Sequence, residues 1–557
     1  MKKNLLFIVA GLMCTSFALA QPQLEQGKDM LKQGNYAEAM RLFKNVIRFE
    51  PKNDQAWFYL SKTFYLAKMP DSAIIAANKA KSLNDEYADT YVVLAQSQMA
   101  LKSNSEAILA VRAGLKASKD YEPLIRVLGQ IYLGMDSTDA ATVAFTRAQD
   151  INANDPEVYE GLGDAYSKTG VTALAVINYK KSIALDTTQS DVWYKLARTY
   201  QKDRQWNEAA LAFQQVIALN PSIDDARLEL ADMYYRASLW PFVVKWLQPY
   251  IQQHPDAKEV SQKYLKALYM SRMYKEVIPV AQRLLKDDPK SPNLLRMLAY
   301  ASVEMKTYTA GINYYTQLQK VDTLKVDDWR KLGMAYFETK QDSMAANAME
   351  EILRVDSTNS AMNFEVAVIY MRMKQWAKAA VNFEKRFKAD TTNFSAYYNY
   401  AACESALGEF EKASEAYLKA IPLKPDYVGT YFNLASCYMQ LKQWSDARKT
   451  YEDFIKVADT SKTKNNKELA TAYKFVGLVY LLDKKYEDAV RYEKKSIDLD
   501  DKDSDTHTWL GQSYHNLQTN DSFPNARKDA IAEYKKALKI NPNNKEAKKL
   551  LEMLEPQ

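Results

Sequence analysis

Residues 193–221 read WYKLARTYQKDRQWNEAALAFQQVIALNP. The stretch holds no catalytic constellation and no ligand motif, yet close relatives of it recur down the chain. Small residues fall at Gly129, Gly163, Ala197, Ala231, Ala299, Gly333, Ala367, Ala401 and Ala435, at a spacing of 34, with Leu265 filling the one gap. A second ladder of the same period is Ala39, Ala73, Ala107, Ala141, Ala175 and Ala209, resuming at Ala345, Ala379, Ala413 and Ala447. Aromatics follow four residues later in many copies, among them Phe43, Phe145, Tyr179, Phe213, Phe383, Tyr417 and Tyr451. Self-similarity at a fixed period of this length marks a repeat architecture.

The pattern resembles the tetratricopeptide repeat (TPR), W-x2-L-G-x2-Y followed by A-x3-F, A and P. In the opening stretch the matching residues are Trp193, Leu196, Ala197, Tyr200, Ala209, Phe213, Val216 and Pro221. The register predicts thirteen units of 34 residues over 20–461, a polar insertion at 462–469 and two further units over 470–544. The last of these has a lengthened turn around TNDSFPN, and a capping helix and tail follow at 545–557. Each unit is expected to be an antiparallel helix pair that cannot bury its apolar face alone, so neighbours stack. The resemblance implies an all-α, right-handed superhelical solenoid of about fifteen pairs. First helices would line the concave face and second helices the convex one.

Composition agrees with a helical, globular chain. Its 557 residues are 47% hydrophobic and 26% charged, with only 15 Gly and 17 Pro. A net charge of +6 without a basic stripe argues against a nucleic-acid partner. Lys2 and Lys3, the apolar run 5–14 and the small residues Ala18 and Ala20 read as an export signal over 1–20, cleaved after Ala20. Its apolar run is shorter than the ~20 residues needed to span a bilayer. Met13 and Gly11 stand where a lipobox has a small residue and Leu, which argues against lipidation at Cys14. The expected location is therefore the periplasm or the cell envelope.

Nothing in the chain calls for a metal, a cofactor or catalysis. The three histidines, His254, His507 and His515, lack helical zinc spacing, and no CxxC occurs. GQIYLG at 129–134 is followed by Met135 and Asp136 where a phosphate loop needs Lys and Ser/Thr. The many Asp and Glu read as surface and capping residues. DTT and DST at the turns (186–188, 390–392, 136–138, 356–358) resemble some bacterial O-glycosylation sites, but turn chemistry explains them. Cys403 and Cys437 occupy equivalent positions in neighbouring units, roughly 8–10 Å apart if the helices stack. A disulfide needs Cα atoms within about 7 Å, so two free buried thiols are expected.

If the consensus residues are core, binding must use the positions the repeat leaves free. In TPR proteins peptide partners meet the first helix at unit positions 2, 5, 6, 9, 12 and 13. Those positions are apolar near the N-terminus (Phe58, Tyr65, Val92, Met99, Leu133) and mixed at Glu160, Asp164 and Lys168. They become basic and aromatic at Tyr194, Arg198, Tyr235, Arg236, Lys266 and Tyr269, and then at Arg296, Tyr300 and Arg330. Asn399 and Asn433 take the sixth position of two adjacent units, where Asn can bond a bound peptide's backbone. The reading is a non-enzymatic scaffold that binds a protein or peptide. Its rivals are an assembly part of a transport or secretion machine, acting through ends or convex surfaces, and a glycan- or peptidoglycan-binding protein.

Overall fold

The computed structural model describes residues 21–460 and 465–555. The expected export signal, Cys14 and the first part of the polar insertion lie outside these residues. Among the described residues the backbone is helical and carries no strand. The chain divides into two compact units, one reaching Ser271 and the other beginning at Arg272.

In the N-terminal unit each helix packs on the next in sequence, from residues 21–32 and Tyr36–Phe49 to Lys258–Met270. The opening stretch shows why. Ser190–Lys202 and Trp206–Leu219 are its two helices. Between them Arg204 takes a left-handed φ of 61°, and the Gln205 N–H donates to Tyr200 O at 2.9 Å, which ends the first helix and reverses the chain. The left-handed turn recurs at every repeat from Lys68 to Arg272, with glycine only at Gly170. Asn220 N–H closes the second helix on Val216 O at 2.8 Å, directly before Pro221.

Leu196, Ala197, Tyr200, Ala209, Phe213 and Val216 are buried in one apolar cluster. Small residues are needed where the paired backbones approach an aromatic. A Cβ on Gly163 would lie 2.5 Å from the Tyr179 ring, and one on Gly129 2.8 Å from Phe145. The consensus residues are thus spacers and filler.

The C-terminal unit follows the same plan from Tyr274–Asp287 to Lys545–Leu554. Its helix Tyr274–Asp287 runs through Pro279, as the N-terminal unit's Trp240–Gln253 runs through Pro249. One element starts earlier than the sequence reading had it. Residues 466–469, assigned to the polar insertion, form the first turn of helix Asn466–Leu482, because the Asn465 side chain caps it on Lys467 N–H at 3.2 Å and Leu469 is buried. At the far end Lys545–Leu554 covers Tyr534 and Leu510 with Ala547 and Leu554. Cys403 and Cys437 are buried free thiols. Burial pushes the Cys403 thiol up to about 12.

Candidate functional site: the face of the first helices

In the N-terminal unit four successive first helices open a cavity of about 940 Å³. Its apolar lining includes Phe58, Tyr65, Val92, Met99 and Leu133, the residues that sequence position placed on this face. Phe58 is its floor, held edge-on by Tyr59 and Tyr87 at 5.0 and 4.9 Å between ring centroids. The ninth residue of each unit forms a polar row, Lys62, Gln96, Gln130 and Asp164. A second hollow of about 450 Å³ shares Leu133, Asp164 and Lys168 and continues the face to Tyr194, Lys195, Arg198 and Lys202.

Most charges here are already committed to the protein. Arg126 is clasped by Glu157, by Asp155 at 3.0 Å and by Glu122 at 3.5 Å. Burial, with Asp155 beside it, raises the Glu122 carboxyl to about 7. Lys195 bridges to the preceding repeat through Glu160 at 2.6 Å and Asp164 at 2.7 Å, and the Tyr179 hydroxyl donates to Asp164 at 2.7 Å. Burial opposes the Lys195 charge, but the two carboxylates outweigh it and its pKa rises. Lys195 is therefore a bolt between repeats. Arg198 is the more available cation. It is half exposed, 3.9 Å from Glu229 and 5.9 Å above the Tyr194 ring, which itself meets Phe213 edge-on.

Farther along the same unit Tyr235 and Trp240 pack edge-to-face at 5.4 Å, and exposed Lys266 holds its ammonium 5.2 and 5.5 Å from the two rings. Arg236 is largely exposed and reaches Asp232 at 2.8 Å, which also takes Lys263 at 3.0 Å. Tyr269 is half-buried.

In the C-terminal unit the two arginines that share a repeat position have different fates. Arg296 has 18% of its side chain exposed, between Asp322 and Asp328 at 2.9 Å each. Arg330 keeps 46%, pairs with Asp327 at 3.6 Å and also lies near the Glu365 carboxyl. Tyr300 stacks obliquely on Tyr274 and lies under the Lys331 ammonium at 4.8 Å. Asn433 donates to the Tyr398 hydroxyl at 2.9 Å, so its amide steadies a ring that also packs on Phe394, Tyr417 and Tyr427. Asn399 is half-buried.

The sequence reading of the acids as surface residues fails at several places. Glu493 is fully buried and stands where other repeats place Phe or Tyr, four residues after Ala489. Its Oε2 accepts from Ser513 Oγ at 2.8 Å and its Oε1 has no partner. Burial pushes this carboxyl to about 8. His507 is buried against Glu533 at 2.5 Å, and Asp328 is buried beside Arg296. The break in the A-x3-aromatic ladder at 493 was the signal in the sequence. Among the described residues no cluster of His, Cys, Asp or Glu could hold a metal ion, and no helix is long and apolar enough to cross a membrane.

Stacked helix pairs with a continuous polar and apolar face on their first helices define a helical-repeat interaction protein. Tetratricopeptide-repeat family models match residues 24–88, 190–223, 405–442 and 427–502. Together with the 34-residue register that holds over 20–461, these matches make the chain a tetratricopeptide-repeat protein. Comparison with curated proteins gives no match. Among solved structures, the C-terminal part of a TPR repeat-containing protein from Cytophaga hutchinsonii is 19% identical. It covers 52% of this chain and 98% of its own, with a TM-score of 0.35. A thermophilic TPR protein from Thermus thermophilus is 20% identical over 33% of this chain and 99% of its own, with a TM-score of 0.31. YrrB, described as a TPR protein with an unusual peptide-binding site, is 18% identical over 33% of this chain and 95% of its own, with a TM-score of 0.26.

Proposed function

We propose that the chain is an exported, non-enzymatic scaffold that holds a segment of a partner protein against the first helices of its N-terminal unit. The observation that carries this is the 940 Å³ cavity across four successive repeats, with its apolar lining and its row of polar ninth-position side chains. Gln96 and Gln130 can bond the backbone of an extended segment, while Val92, Met99 and Leu133 receive its apolar side chains. Arg198 with Tyr194 offers an acidic or aromatic anchor farther along. A preformed groove loses little order on binding, so many modest contacts can add to a useful affinity. The leader-like residues 1–20 support an envelope location.

Photo-crosslinkers placed at Val92 and Met99 test the groove, with one at exposed Thr316 on a second helix of the C-terminal unit as the control. A partner captured at the first two positions and lost with Met99→Glu or Leu133→Glu is the expected result. Capture at Thr316 alone would overturn the assignment. Cell fractionation and N-terminal sequencing test the location, with Gln21 as the expected first residue.

A further inference from the structure

The second helices of the N-terminal unit carry an apolar row that neither the fold nor the groove uses. Ile75, Leu109, Val143, Ile177 and Leu211 are 34 residues apart and expose 70, 62, 71, 60 and 62% of their surface. Each lies two residues after the buried Ala of its helix, so all five hold the same outward position in five consecutive repeats. The row is bounded by charge: the same position is Arg41 in the repeat before and Lys245 in the repeat after. Each second helix packs on the first helices of its own and the next repeat, so the five rungs recur at intervals along one side of the unit. Single exposed apolar residues need no explanation, but one apolar position kept outward through five consecutive repeats does.

The row is flanked by charge of opposite sign on its two sides. One turn before it stand the exposed acids Asp71, Glu106, Asp139 and Glu208. One turn after it stand the exposed cations Lys79, Arg112, Arg147 and Lys181. Residues three and four apart share a helix face, so acid, apolar and basic rows run side by side, about 5 Å apart. The helix dipole favours acids early and cations late, which accounts for the flanks. It does not account for the apolar row between them.

We infer that this face is the interface of a symmetric dimer, with a second copy of the chain as its occupant. Two features select that occupant. A second copy presents the same 34-residue rung spacing, so the rungs meet one for one. A two-fold axis parallel to the row then sets each acid row against the partner's basic row, whereas an axis along the helices would set acid on acid. The contact is isologous and closes at two copies. It leaves the first-helix groove open in both.

Sedimentation velocity of the purified full chain over a wide concentration range tests this. The expected result is a monomer–dimer equilibrium that Leu109→Glu with Ile177→Glu shifts to monomer, circular dichroism being unchanged because both sites are exposed. Lys79→Glu with Arg112→Glu should weaken the dimer by roughly tenfold or more, by placing acid against acid. Adding Asp71→Lys and Glu106→Lys to that variant should restore it, because both rows are then exchanged. A wild-type chain that stays monomeric, or a dimer untouched by the Leu109/Ile177 pair, overturns the interface. Failure of the four-fold exchange to restore the dimer overturns the proposed axis.

Discussion

Glu493 offers a sharp test of the burial reasoning, because a carboxyl replaces the aromatic ring of its repeat. Its ordinary value of 4.5 is raised to about 8 by burial, which outweighs the opposing Ser513 hydrogen bond. The folded state therefore holds a proton that the unfolded chain releases above 4.5. The stability this group contributes is complete below pH 4.5, falls as pH rises, and is lost once pH passes about 8. From 4.5 to about 8, at 1.36 kcal/mol for each pH unit, the loss reaches about 5 kcal/mol as a ceiling. Glu493→Gln removes the titration and keeps an acceptor for Ser513. Hydrogen exchange of peptides from helices Asn466–Leu482 and Tyr486–Leu499, compared between the two proteins at matched pH, cancels the intrinsic pH dependence of exchange. Near pH 4.5 the two should agree within about 1 kcal/mol, and near pH 8.5 the Gln variant should be more protected by several kcal/mol. Parallel behaviour across that range would refute the claim that this carboxyl is neutral in the fold.

Arg296→Ala leaves the buried Asp328 without its cation and should destabilise the C-terminal unit by about 3 kcal/mol, seen as a lower urea midpoint. Arg198→Ala, at a half-exposed site with one distant acid, should cost under about 1 kcal/mol and act instead on partner binding. Gly161→Ala would place a Cβ 2.4 Å from the Phe145 ring, and about 1–3 kcal/mol of lost stability is expected in thermal unfolding. Cys403 and Cys437 should react with a thiol reagent only after denaturation, and non-reducing mass spectrometry should find no bridge between them.

The repeat made the architecture legible before any coordinates. Trp193, Leu196, Ala197, Tyr200, Ala209 and Phe213 announce a helix pair because their spacing follows helical geometry, and that geometry is local. The start of helix Asn466–Leu482 was less legible, since a polar run can be an insertion or a capped first turn, and Asn465 decides which. On the first-helix face, Phe58, Val92, Met99 and Leu133 were placed correctly by position alone, and the structure joins them in one cavity.

Which side chains remain available there is a different kind of fact. Arg296 and Arg330 are equivalent in sequence, yet one is spent on Asp322 and Asp328 while the other keeps much of its surface. Lys195, on the same helix face as Arg198, is a bolt to Glu160 and Asp164. Asn433 looked like a peptide ligand and holds Tyr398. By itself the sequence determined the period, the helix pairs, the core and the outward rows, since each depends on spacing along one helix. Only the tertiary structure decided which charges pair and which carboxyls stay protonated. Those outcomes depend on the reach of side chains between helices some thirty residues apart, and on burial summed over every element packed around the group.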